Sequence, residues 1–115
     1  MIFAALALAL APTEALAGLY QSHQMEVGAA LLLEPDGRFR YQFDYGAVSE
    51  SAEGEWSAQA NVVYLTATRM EGAYNQRDFV REPLAVDGDS LILRRYDIVI
   101  RFARSSDGGT AEEDR

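Results

Sequence analysis

The chain has no cysteine and no lysine, and its 115 residues include one histidine, one tryptophan and three prolines. Without cysteine there are no disulfides, thiolate metal ligands or cysteine nucleophile, and no N-terminal cysteine to carry a lipid. Without lysine there is neither a Schiff-base amine nor a phosphate-binding P-loop. His23 stands alone, with no acidic residue tied to it by a motif, which argues against a serine triad. Positive charge is also scarce. Ten arginines face eighteen acidic residues for a net charge of −8, against nucleic acid as a partner, since that needs a basic face. The expectation is a protein that is not an enzyme and carries no cofactor.

Long apolar runs are missing as well. The longest covers residues 2–11, followed by Pro12 and then Ala15-Leu16-Ala17 ahead of Gly18. An apolar segment of ~7–15 residues ending in a small-x-small triplet is the pattern of a secretory signal peptide. A bilayer-spanning helix needs ~20 apolar residues, about twice this run. Residues 1–17 are therefore expected to be a signal peptide or N-terminal hydrophobic segment. Cleavage after Ala17 would leave a periplasmic or secreted chain with no transmembrane span. No positive residue precedes the run, so an N-terminal membrane anchor is the alternative. Residues 105–115, rich in Ser, Gly, Asp and Glu, are expected to form a disordered acidic tail.

Residues 18–104 read as one β-domain, large enough for a single core. Its organising stretch is Arg38-Phe39-Arg40-Tyr41-Gln42-Phe43-Asp44-Tyr45, which alternates polar and aromatic residues throughout. A period of two places Phe39, Tyr41, Phe43 and Tyr45 on one buried face. Pro35-Asp36-Gly37 is a turn before it. Gly46-Ala47 after it suits a two-residue type II′ hairpin pairing Tyr45 with Val48. Counting back puts Arg40 opposite Glu53, Phe39 opposite Gly54 and Arg38 opposite Glu55. Opposite charges meet on one face and an aromatic ring covers a glycine on the other.

Further strands are expected at residues 18–25, 27–33, 48–57, 62–68, 79–86, 90–94 and 97–103. Asp87-Gly88 reads as a type I′ turn pairing Leu84 with Leu91. Pro83 cannot donate to a ladder, so its strand is an edge or irregular there. Residues 69–78 have no strand pattern and form either a long loop or one helical turn. About eight short antiparallel strands at this spacing indicate a barrel or sandwich.

Gly18-Leu19-Tyr20, Leu-x-Pro-Asp-Gly-x-Phe-x-Tyr at residues 33–41, Gly54-Glu55-Trp56, Val86-x-Gly-Asp-x-Leu and Phe102 resemble small lipocalin-like bacterial envelope proteins. Domains of this kind occur in copper-resistance outer-membrane lipoproteins. The resemblance implies an all-β, small antiparallel up-and-down barrel of about eight strands. It departs in lacking a lipid-attachment cysteine and in its small size.

The expected function is an exported, non-catalytic envelope protein binding a small hydrophobic or anionic ligand. The alternative is a structural or interaction module that docks a protein partner through a sheet edge or the 69–78 loop. The candidate ligand site lies at the barrel end bounded by that loop. Arg69 and Arg77 would pair with an anion, Tyr74 would stack, and Tyr41 and Trp56 would form an apolar floor. Competing with this, the loop folds flat and plugs the end. No metal site is expected, because His23 and Met25 at i and i+2 are only two ligands. Glu50, Glu53 and Glu55 read as a solvated face. Arg94, Arg95, Arg101 and Arg104 form either a face for an anionic partner or pairs with Asp87, Asp89 and Asp97.

Overall fold

A computed structural model describes residues 15–72 and 76–105. Most of the expected export segment and acidic tail, and Tyr74, lie outside the described residues. Eight antiparallel strands follow in order: β1 Gly18–Gln24, β2 Val27–Leu33, β3 Arg38–Tyr45, β4 Val48–Gln59, β5 Val62–Glu71, β6 Glu82–Asp87, β7 Ser90–Arg95 and β8 Ile98–Arg104. Each pairs with the next, and β8 returns to β1 to close an up-and-down barrel. Closure leaves the sheet without a free edge strand.

Alternation sets which way each side chain points. On β3 the aromatic residues are inward and the polar ones outward, as the period of two requires. The β3–β4 register pairs Tyr45 with Val48, Arg40 with Glu53, Phe39 with Gly54 and Arg38 with Glu55. Gly46 takes a φ of 60° at the turn, the left-handed position that the first residue of a type II′ turn demands. Phe39, Phe43, Leu31, Leu65, Leu93 and Phe102 are all at most 1% exposed and make up the centre of the core.

Three expectations change in detail. The β6–β7 turn is Gly88-Asp89, since Asp87 pairs with Ser90 and Val86 with Leu91. Gly88, at φ 62°, is thus the first turn residue and not the second. Moving the turn by one residue shifts the pairing by two, so Leu84 and Leu91 still face inward. Next, β5 runs on to Glu71, so Arg69 lies on a strand and the long connection is residues 72–81. Finally, β6 begins at Glu82 and not at Phe79. Phe79 is drawn out of the strand because its ring is buried in the barrel, 4.9 Å from Tyr41 in an edge-on contact and 6.4 Å from Phe39.

Pro83 pairs with Tyr64 on β5, but β7 takes up β6 only from Ala85 onward. The missing N–H therefore falls where no ladder passes. Between β4 and β5 the register shifts at Glu53/Gly54: these two pair with Arg69 and Ala67, leaving Thr68 on β5 as the extra residue. A Cβ on Gly54 would stand 2.2 Å from the Thr66 carbonyl oxygen, so only glycine allows β4 and β5 to cross this closely. The closing seam is short. Only Tyr20 with Arg104 and Gln21 with Ala103 pair across it. Beyond them the Gln24 side chain takes the place of backbone: its Nε2 donates to the Val99 carbonyl at 3.1 Å, and its Oε1 accepts the Arg101 N–H at 2.9 Å.

Candidate functional site

Glu50 follows from the β3–β4 register. It sits opposite Phe43, and so points inward with the aromatic set. Arg95 ends β7 in the same phase as Leu91 and Leu93, which are both buried. The two side chains meet inside the barrel. Arg95 Nε lies 2.5 Å from Glu50 Oε1 and Nη2 lies 3.0 Å from Oε2, with both side chains at 0% exposure. Tyr41 and Tyr96 each donate a hydroxyl to the same carboxylate at 2.9 Å. Arg95 Nη1 donates to the Arg77 carbonyl at 2.8 Å, and the guanidinium lies over the Phe79 ring at 4.9 Å. The cluster thus fastens the 72–81 connection to the barrel interior.

The surroundings explain the ionisation of the cluster. Burial pushes the Tyr41 hydroxyl far above its usual range, and the adjacent negative Glu50 adds to this. Burial works against the charge on Arg95, yet its bonds to Glu50 and the charge of that carboxylate outweigh it, and its pKa lies above the ordinary value. A carboxylate offers about four lone-pair positions, and four donors approach this one. No position is left to take a proton from a substrate. The arrangement is a structural clasp. It also holds Tyr96 at a φ of 56°, where a bulky residue is unfavourable. Tyr96 is further held by stacking on Phe43, ring centres 5.2 Å apart.

The four described candidate residues, Tyr41, Trp56, Arg69 and Arg77, have different partners and lie apart. Tyr41 is part of the clasp. Trp56 lies toward the opposite end, its Nε1 donating to the Glu34 carbonyl at 2.9 Å beside the β2–β3 turn. Arg77 pairs with the buried Glu82 through Nε at 2.9 Å and Nη2 at 2.5 Å. Arg69 pairs with Glu71 at 3.0 Å on the outer wall. Tyr74 lies outside the described residues. Phe79, which belongs to this connection, is buried against Tyr41 inside the barrel.

Among the arginines, Arg101 pairs with Asp87 at 2.5 Å, as the local-pairing alternative had it. Arg95 and Arg104 do otherwise. Arg104 donates to the Ala15 and Ala17 carbonyls at 2.9 and 2.5 Å. Glu50 leaves the solvated face expected for it, because it is out of phase with Glu53 and Glu55 on β4. The signal was present, since the register that set Arg40 against Glu53 also sets Glu50 against Phe43.

A second feature lies on the outside. A groove of about 460 Å³ is lined by Leu19, Ala30, Leu32, Arg40, Gln42, Ser51, Glu53, Arg69 and Glu71, with Tyr41 and Ala52 between them. The ladder shows why these meet. Leu19, Leu32, Arg40, Glu53 and Arg69 are successive cross-strand partners, forming one row over five strands. Ala30, Gln42, Ser51 and Glu71 form the adjacent row. Small Ala30 and Ser51 lie between longer side chains and give the groove its floor. The β1–β2 half is apolar and the β3–β5 half is polar. Among the described residues, Glu71 takes Arg69, whereas Arg40 makes no ion pair.

Among the described residues no helix is long and apolar enough to cross a membrane. Comparison with protein-family models, with curated proteins and with solved structures finds nothing that matches this chain.

Proposed function

We propose that this chain is an exported, non-catalytic envelope protein that binds a small anionic amphiphile on its outer wall. The observation that carries this reading is the pair of cross-strand rows lining the groove. Leu19, Leu32 and Ala30 offer an apolar track, and Arg40 stands at its end. With strands ~4.8 Å apart, Leu19 to Arg40 is roughly 10 Å, the reach of a medium-length alkyl chain. Sites of this kind combine an apolar wall with a few placed polar groups. The barrel interior favours the wall as the site, because Phe79, Tyr41 and the Glu50–Arg95 pair occupy the end where an internal ligand would enter. Support for export is the apolar run of residues 2–11, together with the likeness to small lipocalin-like envelope domains.

Glu53 sits between Arg40 and Arg69 in the row and opposes an anionic headgroup. Decanoate titrated into the protein, followed by amide chemical shifts, should perturb Leu19, Ala30, Leu32 and Arg40. Arg40→Ala should weaken binding, and Glu53→Gln should tighten it, since one negative charge is removed beside two guanidinium groups. Shifts confined to core amides, or equal affinity in all three proteins, would refute the assignment.

A protein partner is favoured instead by one observation. β5 continues to Glu71 although β6 pairs only with its residues 62–65, and Val80 beside it is 77% exposed. Binding of a partner that Val80→Asp abolishes and Arg40→Ala leaves intact would favour that second reading.

A further inference from the structure

Ala15-Leu16-Ala17 carries the small-x-small pattern of a signal-peptidase site, yet the folded barrel uses all three residues. The Tyr20 ring is 1% exposed, and its hydroxyl donates to the Leu16 carbonyl at 2.7 Å. Arg104, at the end of β8, donates Nη1 to the Ala15 carbonyl at 2.9 Å and Nη2 to the Ala17 carbonyl at 2.5 Å. Its guanidinium also lies over the Tyr20 ring at 5.7 Å. Leu16 and Ala17 pack against the core. Residues 15–17 thereby cap the barrel end opposite the Glu50–Arg95 clasp, joined to both strands of the closing seam.

Cutting between Ala17 and Gly18 would undo this in two ways. The Leu16 carbonyl would leave, stripping a buried hydroxyl of its acceptor. The new α-ammonium at Gly18 would form beside Arg104, close enough that a methyl on Gly18 would stand 3.2 Å from Arg104 Nε. Two like charges placed this near each other are opposed. A protease also needs an extended, accessible backbone, and here three carbonyls are already taken by the fold.

We propose that residues 15–17 remain on the folded protein as its cap, and that the bond between Ala17 and Gly18 is closed to processing once the barrel has formed. The mature N-terminus then lies at or before Ala15. This does not depend on the outer groove. The test uses the full purified chain with purified signal peptidase and, separately, with elastase, which cuts after small residues; products are read by mass spectrometry. The folded wild type should resist cutting between residues 17 and 18. Arg104→Gln and Tyr20→Phe, checked for unchanged near-ultraviolet dichroism, should be cut there about tenfold faster or more, because each loses a hydrogen bond that holds the segment down. Equal rates in wild type and in whichever variants stay folded would overturn the proposal. N-terminal sequencing of the protein recovered from an envelope fraction provides the second reading. A start at or before Ala15 agrees with it, and a start at Gly18 refutes it.

Discussion

Replacing Glu50 by Ala removes the acceptor for four donors at once and leaves the Arg95 guanidinium buried without its counter-charge. Taking one partner from a buried ion pair costs ~3–5 kcal/mol, since the desolvation of the remaining charge is no longer offset. Summing orphaned donors separately would give more, but water entering the space left by the side chain limits the loss. For a domain of this size each kcal/mol lowers the melting temperature by about 4–8 °C, so a fall of roughly 12–40 °C is expected. Against a total stability of ~5–15 kcal/mol, this is a large share. Urea denaturation followed by Trp56 fluorescence should show a lower midpoint with an unchanged slope. The argument makes a sharper claim about the pair. Glu50→Leu combined with Arg95→Met should be far less damaging than either change alone, because the double variant buries no unpaired charge. If Glu50→Ala costs under ~1 kcal/mol, or if the two single costs simply add in the double variant, the clasp is not what holds this end of the barrel.

Other outcomes follow from the same structure. Gly54→Ala places a Cβ 2.2 Å from the Thr66 oxygen and 2.8 Å from the Ala67 Cα. The obstacle is backbone, so strands must move, and a loss of at least ~1–3 kcal/mol is expected in thermal melts. The Tyr41 hydroxyl has its pKa raised in the folded state, while the unfolded chain titrates near the usual 10. Stability from this group is complete below pH 10 and declines as pH rises above it, because only the unfolded chain then releases the proton. Melting temperature should fall more steeply above pH 10 in wild type than in Tyr41→Phe; parallel curves would count against the buried hydroxyl. Gln24→Ala removes the amide that bridges the seam at Val99 and Arg101. Hydrogen exchange of the Arg101 amide should speed up by an order of magnitude or more, with the β3–β4 amides unchanged.

How much of this could be read beforehand depends on the distance over which each feature is decided. The eight strands and the β3–β4 register follow from alternation and turn chemistry, which act over a few residues; strand spacing leaves barrel or sandwich open, and the closed barrel is what the resemblance implies. Pro35-Asp36-Gly37 and Gly46-Ala47 bracket β3, and with both ends pinned the period of two orients every side chain between them. The β6–β7 turn was harder, because Asp87-Gly88 and Gly88-Asp89 are both plausible hairpin turns and each keeps Leu84 and Leu91 inward. Glu50 was legible in principle. Residue type alone sets it beside Glu53 and Glu55, whereas its phase on β4 sets it with the inward residues.

The sequence by itself determined the alternating strands, the turns that bracket β3, the β3–β4 pairing and the aromatic core face. Each is a local preference of the backbone or a consequence of one residue's parity. Tertiary structure alone decided the rest. Arg95 lies 45 positions from Glu50, and Arg104 lies 89 from Ala15; no periodic pattern connects them. Phe79 leaves its expected strand because the barrel end is open until an apolar side chain fills it, a demand that exists only after closure. The outer groove likewise needs five strands in register, with the β4–β5 shift at Thr68, before Leu19 and Arg69 share one surface. Pairings of this range follow from which groups must be desolvated together, and that is settled only when the sheet closes on itself.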